Sequence, residues 1–144
     1  MASVVAVCRS HKKGVRKEPV NEGVFIEGTG LIDDAHADSR THRQVSLLAV
    51  ESINRMRNFE NELKPGDFAA NLTTEGIELK SLPVGTRLAI GEEVLLEVSQ
   101  IGKECHTRCA IYRQVGQCIM PAEGIFALVV CGGVVRGGDR VCIA

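Results

Sequence analysis

Arg87-Leu-Ala-Ile-Gly-Glu-Glu-Val-Leu-Leu-Glu-Val98 is the stretch that decides the fold class. Two short apolar runs, Arg87 to Ile90 and Val94 to Val98, flank a turn at Gly91-Glu92, which predicts a β-hairpin. Toward the N-terminus, Ser3 to Cys8 is a β-branched run that reads as an opening strand. It passes into a basic loop, Arg9 to Lys17, closed by Pro19. Val24 to Ile26 reads as a second strand, and Gly28 to His36 holds turn formers and carboxylates without a periodic pattern. Toward the C-terminus, a last pair of strands is predicted around Gly132-Gly133 and Gly137-Gly138. Between these halves, Val45, Leu48, Ala49, Ile53, Met56 and Leu63 recur at helical spacing. Ser46 is placed to cap that helix and Pro65-Gly66 to stop it. Several short strands with one clear amphipathic helix predict a mainly β chain, a closed or partly open β-barrel of mostly antiparallel strands. The 144 residues suffice for one compact core, and no linker or repeat argues for a second, so residues 1–144 are read as a single domain.

Hydrophobic residues make up 44% and charged residues 24%, the balance of an ordinary globular chain. The longest apolar runs, such as Ile125 to Cys131, fall far short of the roughly 20 residues a membrane-spanning helix needs. Seventeen basic residues against eighteen acidic ones give no broad positive field for a polyphosphate backbone, and with no Trp and one Tyr there is little to stack on bases. Neither nucleic acid nor membrane is expected as a partner. The N-terminus lacks the charge and apolar length of a signal peptide, so the six cysteines are expected to be reduced thiols in a cytoplasm. Cys131 ends an apolar run and Cys142 lies between Val141 and Ile143, which predicts both as small buried core residues.

The chemistry is concentrated in Gln100-Ile-Gly-Lys-Glu-Cys-His-Thr-Arg-Cys109, directly after a predicted strand. Lys103, His106 and Arg108 all fall within three residues of Cys105, and nearby positive charge favours a thiolate over a thiol. Such a thiolate can hold a metal or a sulfur atom. Cys105, His106, Cys109 and Cys118 could instead form a zinc site, although their spacing lacks the two tight knuckles usual for one, or the thiols could be inert. Six basic side chains between Arg9 and Lys17 read either as a solvated charge run or as an anion clamp. His36, His42 and Arg43 lie around Asp38 in a polar segment, where a histidine is a hydrogen-bonding fixture or a proton carrier. Gly28-Thr-Gly30 lacks the third glycine of a dinucleotide fingerprint.

Taken in order, Lys17-Glu-Pro-Val20, Asp34-Ala-His-Ala37, His42-Arg-Gln-Val-Ser-Leu-Leu48, Pro65-Gly-Asp-Phe68, Asn71-Leu-Thr73 and the strand leading to Cys105 resemble the MOSC family, the molybdenum cofactor sulfurase C-terminal domains. The resemblance implies a β-barrel of pyruvate-kinase-barrel-like type and binding of the molybdenum cofactor (molybdopterin), a pterin dithiolene with a phosphate tail. It implies Cys105 as metal ligand or sulfur carrier. Thiolate is a soft ligand suited to a sulfur-rich metal centre. His36, Arg43, Asn71 and Thr73 match family motif positions and are expected to line or brace the pocket, with Arg43 toward the phosphate; a catalytic role for His36, as proton donor, belongs to the reading of the chain as an enzyme. Lys17, Lys103 and Arg108 are further candidate cofactor contacts. Where relatives usually carry Gly-Asp before the histidine, this chain has Asp33-Asp34, which adds a Cβ at a turn. The chain resembles a small stand-alone branch. The pyridoxal-phosphate domain of full sulfurases does not fit in this length, so no bound pyridoxal phosphate is expected, and sulfur or electrons are expected to come from another protein.

Two functions follow from that resemblance. One is a carrier that hands cofactor, metal or sulfur from Cys105 to acceptor molybdenum or tungsten enzymes, alongside cofactor biosynthesis proteins. The other is a molybdenum-dependent reductase of N-hydroxylated bases or similar small molecules, fed by a partner reductase. The shortage of aromatic side chains to stack a purine favours the carrier.

Overall fold

The computed structural model of the protein describes residues 2–12, 17–35, 37–56, 70–102 and 124–144. The chain is mainly β. Its strands are β1 Ser3–Arg9, β2 Glu18–Val20, β3 Glu22–Ile26, β4 Gly30–Leu31, β5 Val45–Ala49, β6 Leu72–Glu75, β7 Arg87–Ile90, β8 Val94–Ile101, β9 Ile125–Cys131, β10 Gly133–Arg136 and β11 Val141–Ile143. Among the described residues one α-helix, α1 Val50–Met56, follows β5; Leu63 and the Pro65-Gly66 stop lie outside the described residues.

The hairpin forms as its sequence requires. Ile90 pairs with Val94 across the Gly91 turn, and Leu88, Ile90, Val94, Leu96 and Val98 all point into the core. From this hairpin the large sheet runs β11-β7-β8-β9-β5-β6-β1-β2, and a second sheet runs β10-β3-β4. Phe25, Leu31 and Val135 of the small sheet meet Val7, Leu72 and Leu88 of the large one in one apolar cluster, so the core lies between the two sheets. Gly23 is required by that contact, because a Cβ there would stand 2.7 Å from Leu31 Cδ1 and 2.8 Å from Val7 Cγ1.

Two expectations are corrected. The first is the helix, which begins only at Val50. Residues Val45 to Ala49 form a strand buried at every position, because β6 and β9 flank it and both of its faces are covered. A run of that kind carries no alternation, so periodicity alone cannot tell it from a buried helix. Ser46 is therefore a mid-strand residue and not a helix cap. The parallel β5–β6 pair needs a crossover, and α1 begins it.

The second correction concerns the barrel, which is realised only in part. The large sheet stays open, with β11 and β2 at its ends. Its two sides meet through one isolated bridge, Ser3 to Arg140, and through backbone bonds from Val4 N to Asp139 O (2.7 Å) and from Val141 N to Ala2 O (3.0 Å).

Asp33 sits at φ 64, in the left-handed region, at the position where the family resemblance expects glycine. A Cβ is disfavoured there. Asp33→Gly is expected to raise the unfolding free energy by about 0.5–1 kcal/mol in urea titrations. A loss of stability would mean that the exposed Arg9–Asp33 pair, 3.8 Å long, outweighs the backbone cost.

Candidate functional site

The register of the large sheet sorts its residues between two faces. Val7, Leu47, Leu72 and Ile125 point into the core. Their strand neighbours therefore point outward: Cys8 on β1, Ser46 and Leu48 on β5, Asn71 (just before β6) and Thr73 on β6, Phe126 on β9. Gln100 on β8 pairs with Phe126 and shares this outer face. All but Gln100, which is half-buried, are buried, so the outer face of the central strands carries a second, more polar layer.

Arg43 enters this layer from the segment before β5. Its guanidinium carbon lies 5.5 Å from the centre of the Phe126 ring, a cation–π distance. Its Nε donates to Gln100 Oε1 at 2.9 Å, and His42 Nε2 lies 2.6 Å from the same oxygen. The Arg43 Nη groups have no hydrogen-bond partner among the described residues. Gln100 Nε2 in turn donates to Gly102 O at 2.7 Å, and Gly102 N donates to Gly124 O at 2.7 Å. Ser99 Oγ donates to His42 O. Gly102 and Gly124 thus tie together at their roots the two ends of the segment that contains Cys105.

Asn71 is held as a cross-strand brace. Its Oδ1 accepts from Ser46 N at 3.0 Å and from Ser46 Oγ at 3.1 Å, its Nδ2 donates to Cys8 O at 3.2 Å, and its own N donates to Ser46 Oγ at 3.0 Å. Thr73 differs: its Oγ1 is buried without a hydrogen-bond partner among the described residues, as is Thr74 Oγ1 on the core side. An orphaned buried hydroxyl is uncommon and marks a position where a ligand atom could be received.

Lys17, the last residue of the basic stretch, is turned into the protein. Its side chain is fully buried, with Nζ 2.8 Å from Asp34 Oδ1 and 3.2 Å from Ser10 Oγ. Ser10 N donates to the same carboxylate at 3.0 Å, and Ala35 N donates to Ser10 O at 2.8 Å, so this cluster fastens the turn before His36 to the end of β1. Asp38 pairs with Arg40, whose guanidinium is held still more firmly in its charged form by that hydrogen bond and by the carboxylate charge.

Cys105, Lys103, His106, Arg108, Cys109, Cys118 and His36 lie outside the described residues. Among the described residues no three His, Cys, Asp or Glu side chains gather as a metal site. Cys131 and Cys142 are both exposed, which corrects their reading as core thiols. Cys142 follows the inward Val141, and Cys131 pairs with Leu95 past a register shift that separates it from the inward Val129. Gln100 and Phe126 had no assigned role in the sequence reading. The signal was available in Gln100, a polar residue near the end of the strand that leads into the Cys105 stretch. A cleft of about 410 Å³ opens beyond β5 and β6, lined by Ala49, Glu51, Ile77 and Leu79 among others, and none of the described site residues lines it.

No helix among the described residues is long and apolar enough to cross a membrane. The family model for the MOSC domain matches residues 33–142, more than half of the chain. The fold is similar to that of the YuaD protein from Bacillus subtilis, with a TM-score of 0.78 at 19% identity over 98% of this chain and 94% of that one. It is similar also to YiiM from Geobacillus stearothermophilus, with a TM-score of 0.73 at 19% identity over 100% of this chain and 75% of that one. YiiM from Escherichia coli matches with a TM-score of 0.67 at 19% identity, over 99% of this chain and 69% of that one. No curated protein matches the sequence.

Proposed function

The chain belongs to the MOSC domain family, and from that premise we propose that it is a molybdenum-cofactor-binding module that carries cofactor, metal or sulfur on Cys105 to a molybdenum or tungsten enzyme. The observation that supports this reading most is the chain of contacts Phe126–Arg43–Gln100–Gly102. Cys105 follows Gly102 by three residues, a tether of at most about 11 Å. A cation and an aromatic face are therefore brought to the strand end from which the chain runs on to Cys105.

The residues present fit the group. The Nη groups of Arg43, without a hydrogen-bond partner among the described residues, would donate to a phosphate tail, which a guanidinium binds in a two-pronged way. Thr73 Oγ1 offers an orphaned hydroxyl to a polar edge, whereas Asn71 and Lys17 are engaged with Ser46, Cys8 and Asp34 and so brace the walls. When bound, the cofactor supplies a thiophilic metal, to which a thiolate is the matching ligand.

The test is to express wild type and Cys105→Ser in cells that make the cofactor, purify both without oxygen, and measure molybdenum and pterin. Metal and pterin held by wild type alone, with no turnover of hydroxylamine substrates given a reductase, is the expected result. Turnover would move the reading to the molybdenum-dependent reductase, and the absence of metal from both proteins would remove it.

A further inference from the structure

We propose that Phe126 is a positioning residue whose ring holds the Arg43 guanidinium on the outer face of the large sheet, so that the free Nη edge is a preformed seat for the dianionic end of a phosphate monoester. This inference deepens the cofactor-binding reading and takes from it the role of Arg43, but not that of Cys105.

Ile125 and Ala127, on either side of Phe126, belong to the core between the two sheets. Phe126 points the other way and is nevertheless only 2% exposed. Its cross-strand partners are Ser46 on β5, which is committed to Asn71, and Gln100 on β8. The Arg43 guanidinium lies over its ring, and the attraction of a cation to the negative ring face holds that group without supplying an acceptor oxygen. Gln100 Oε1 takes the Nε proton at 2.9 Å, and the two Nη groups, which have no partner among the described residues, are left to meet a ligand.

The stem of Arg43 is fixed as well. Its backbone N donates to Thr41 Oγ1 at 3.2 Å, and the next residue, the buried Gln44, donates to Gly28 O at 2.8 Å and accepts from Val129 N at 3.1 Å. The guanidinium is thus held at its stem, at Nε and at the ring before any ligand arrives. An arginine that must instead be ordered on binding loses roughly two- to tenfold in affinity, the factor for immobilising one rotamer-rich side chain. The ligand class follows from the free edge: two N–H donors match two oxygens of one phosphate, and the dianion matches the charge. Asp38, the nearby acid in sequence, is engaged by Arg40.

The test uses the cofactor-free full chain labelled with nitrogen-15. The Arg43 Nε–H signal, identified by its loss in Arg43→Lys, is followed by nuclear magnetic resonance while methyl phosphate replaces chloride at constant ionic strength. In the wild type the signal should move saturably, inorganic phosphate should act likewise, and a nuclear Overhauser contact should join Arg43 Nε–H to the Phe126 ring protons with and without methyl phosphate. Phe126→Leu keeps an apolar side chain in the buried place and removes the ring, whereas Gln100→Met keeps the length and removes the acceptor. Each should weaken methyl phosphate binding, read from the phosphorus-31 signal of the ligand, by roughly two- to tenfold. Phe126→Tyr, which keeps the ring, should stay within about twofold of wild type. Far-ultraviolet circular dichroism and the unfolding midpoint check the fold of each variant.

A wild type without saturable movement overturns the seat. Unchanged affinity in a folded Phe126→Leu, or the lack of the Overhauser contact in the wild type, overturns the positioning role. Binding of inorganic phosphate without methyl phosphate overturns the monoester class. The molybdenum content of wild type expressed in cells that make the cofactor is read separately. Metal retained without a response to methyl phosphate removes this inference and keeps the carrier reading; the expected response without metal removes the carrier reading and keeps the role of Phe126.

Discussion

Asn71→Ala is expected to lower the unfolding free energy by about 3–4 kcal/mol, because it deletes three side-chain hydrogen bonds from a place that water does not reach. Asn71 is wholly buried, and its side chain ties Ser46 on β5 to Cys8 on β1. An alanine leaves a polar cavity between strands whose groups were arranged around the amide. Asn71→Asp keeps the acceptor for Ser46 but places a carboxylate against Cys8 O in a buried setting. Its pKa in the folded variant would rise above the unfolded value, so the native state binds the extra proton and stability is lost as pH rises through that raised value. The aspartate variant is therefore expected to be weakest near neutral pH and to recover part of its stability toward pH 4. Thr73→Val is the contrasting control on the same face. Its hydroxyl has no partner among the described residues, so its removal should change stability by less than about 1 kcal/mol, or raise it. Urea titration followed by circular dichroism measures all three, since the chain has no Trp to report by fluorescence. A near-neutral Asn71→Ala would show that the brace is not what holds β1, β5 and β6 in register.

These two residues mark how far the sequence could be read. Asn71 and Thr73 share a motif and a face, and the resemblance gave both the same part. Their roles divide only because β5 supplies a serine opposite one of them and a leucine opposite the other. The hairpin at Gly91 and the opening strand were legible because each has local signals, a glycine turn or a β-branched run, that need no distant partner. β5 was not, since being covered on both faces erases the alternation that identifies a strand. Cys131 and Cys142 were misjudged for a related reason: at a strand end, one residue of register decides between core and solvent, and register belongs to the partner strand. Gln100 escaped notice because its importance lies in Arg43 and His42, more than fifty positions away in sequence.

Lys17→Met is expected to cost about 3–5 kcal/mol, the range for removing one partner of a buried ion pair. Both side chains of the Lys17–Asp34 pair are fully buried, unlike the exposed contact of Arg9 with Asp33 one residue earlier. Asp34→Leu alone should cost a comparable amount, because it buries an ammonium beside Ser10 and also removes the acceptor for Ser10 N. The double variant should lose much less than the two single losses added together, since it buries no charge, and the shortfall in a double-mutant cycle measures the coupling. Raising salt from 0.05 to 0.5 M should leave these differences nearly unchanged, because screening acts on exposed charges. The result decides between two roles for Lys17. A lysine that reaches out to the cofactor would be silent in cofactor-free protein and costly only in metal retention. A lysine that fastens the 32–35 turn to the end of β1 is costly without any cofactor, and its effect on retention follows from that turn, which leads directly to His36. Its 2.8 Å bond to Asp34 inside the protein favours the second role, and additivity of the two single substitutions would count against it.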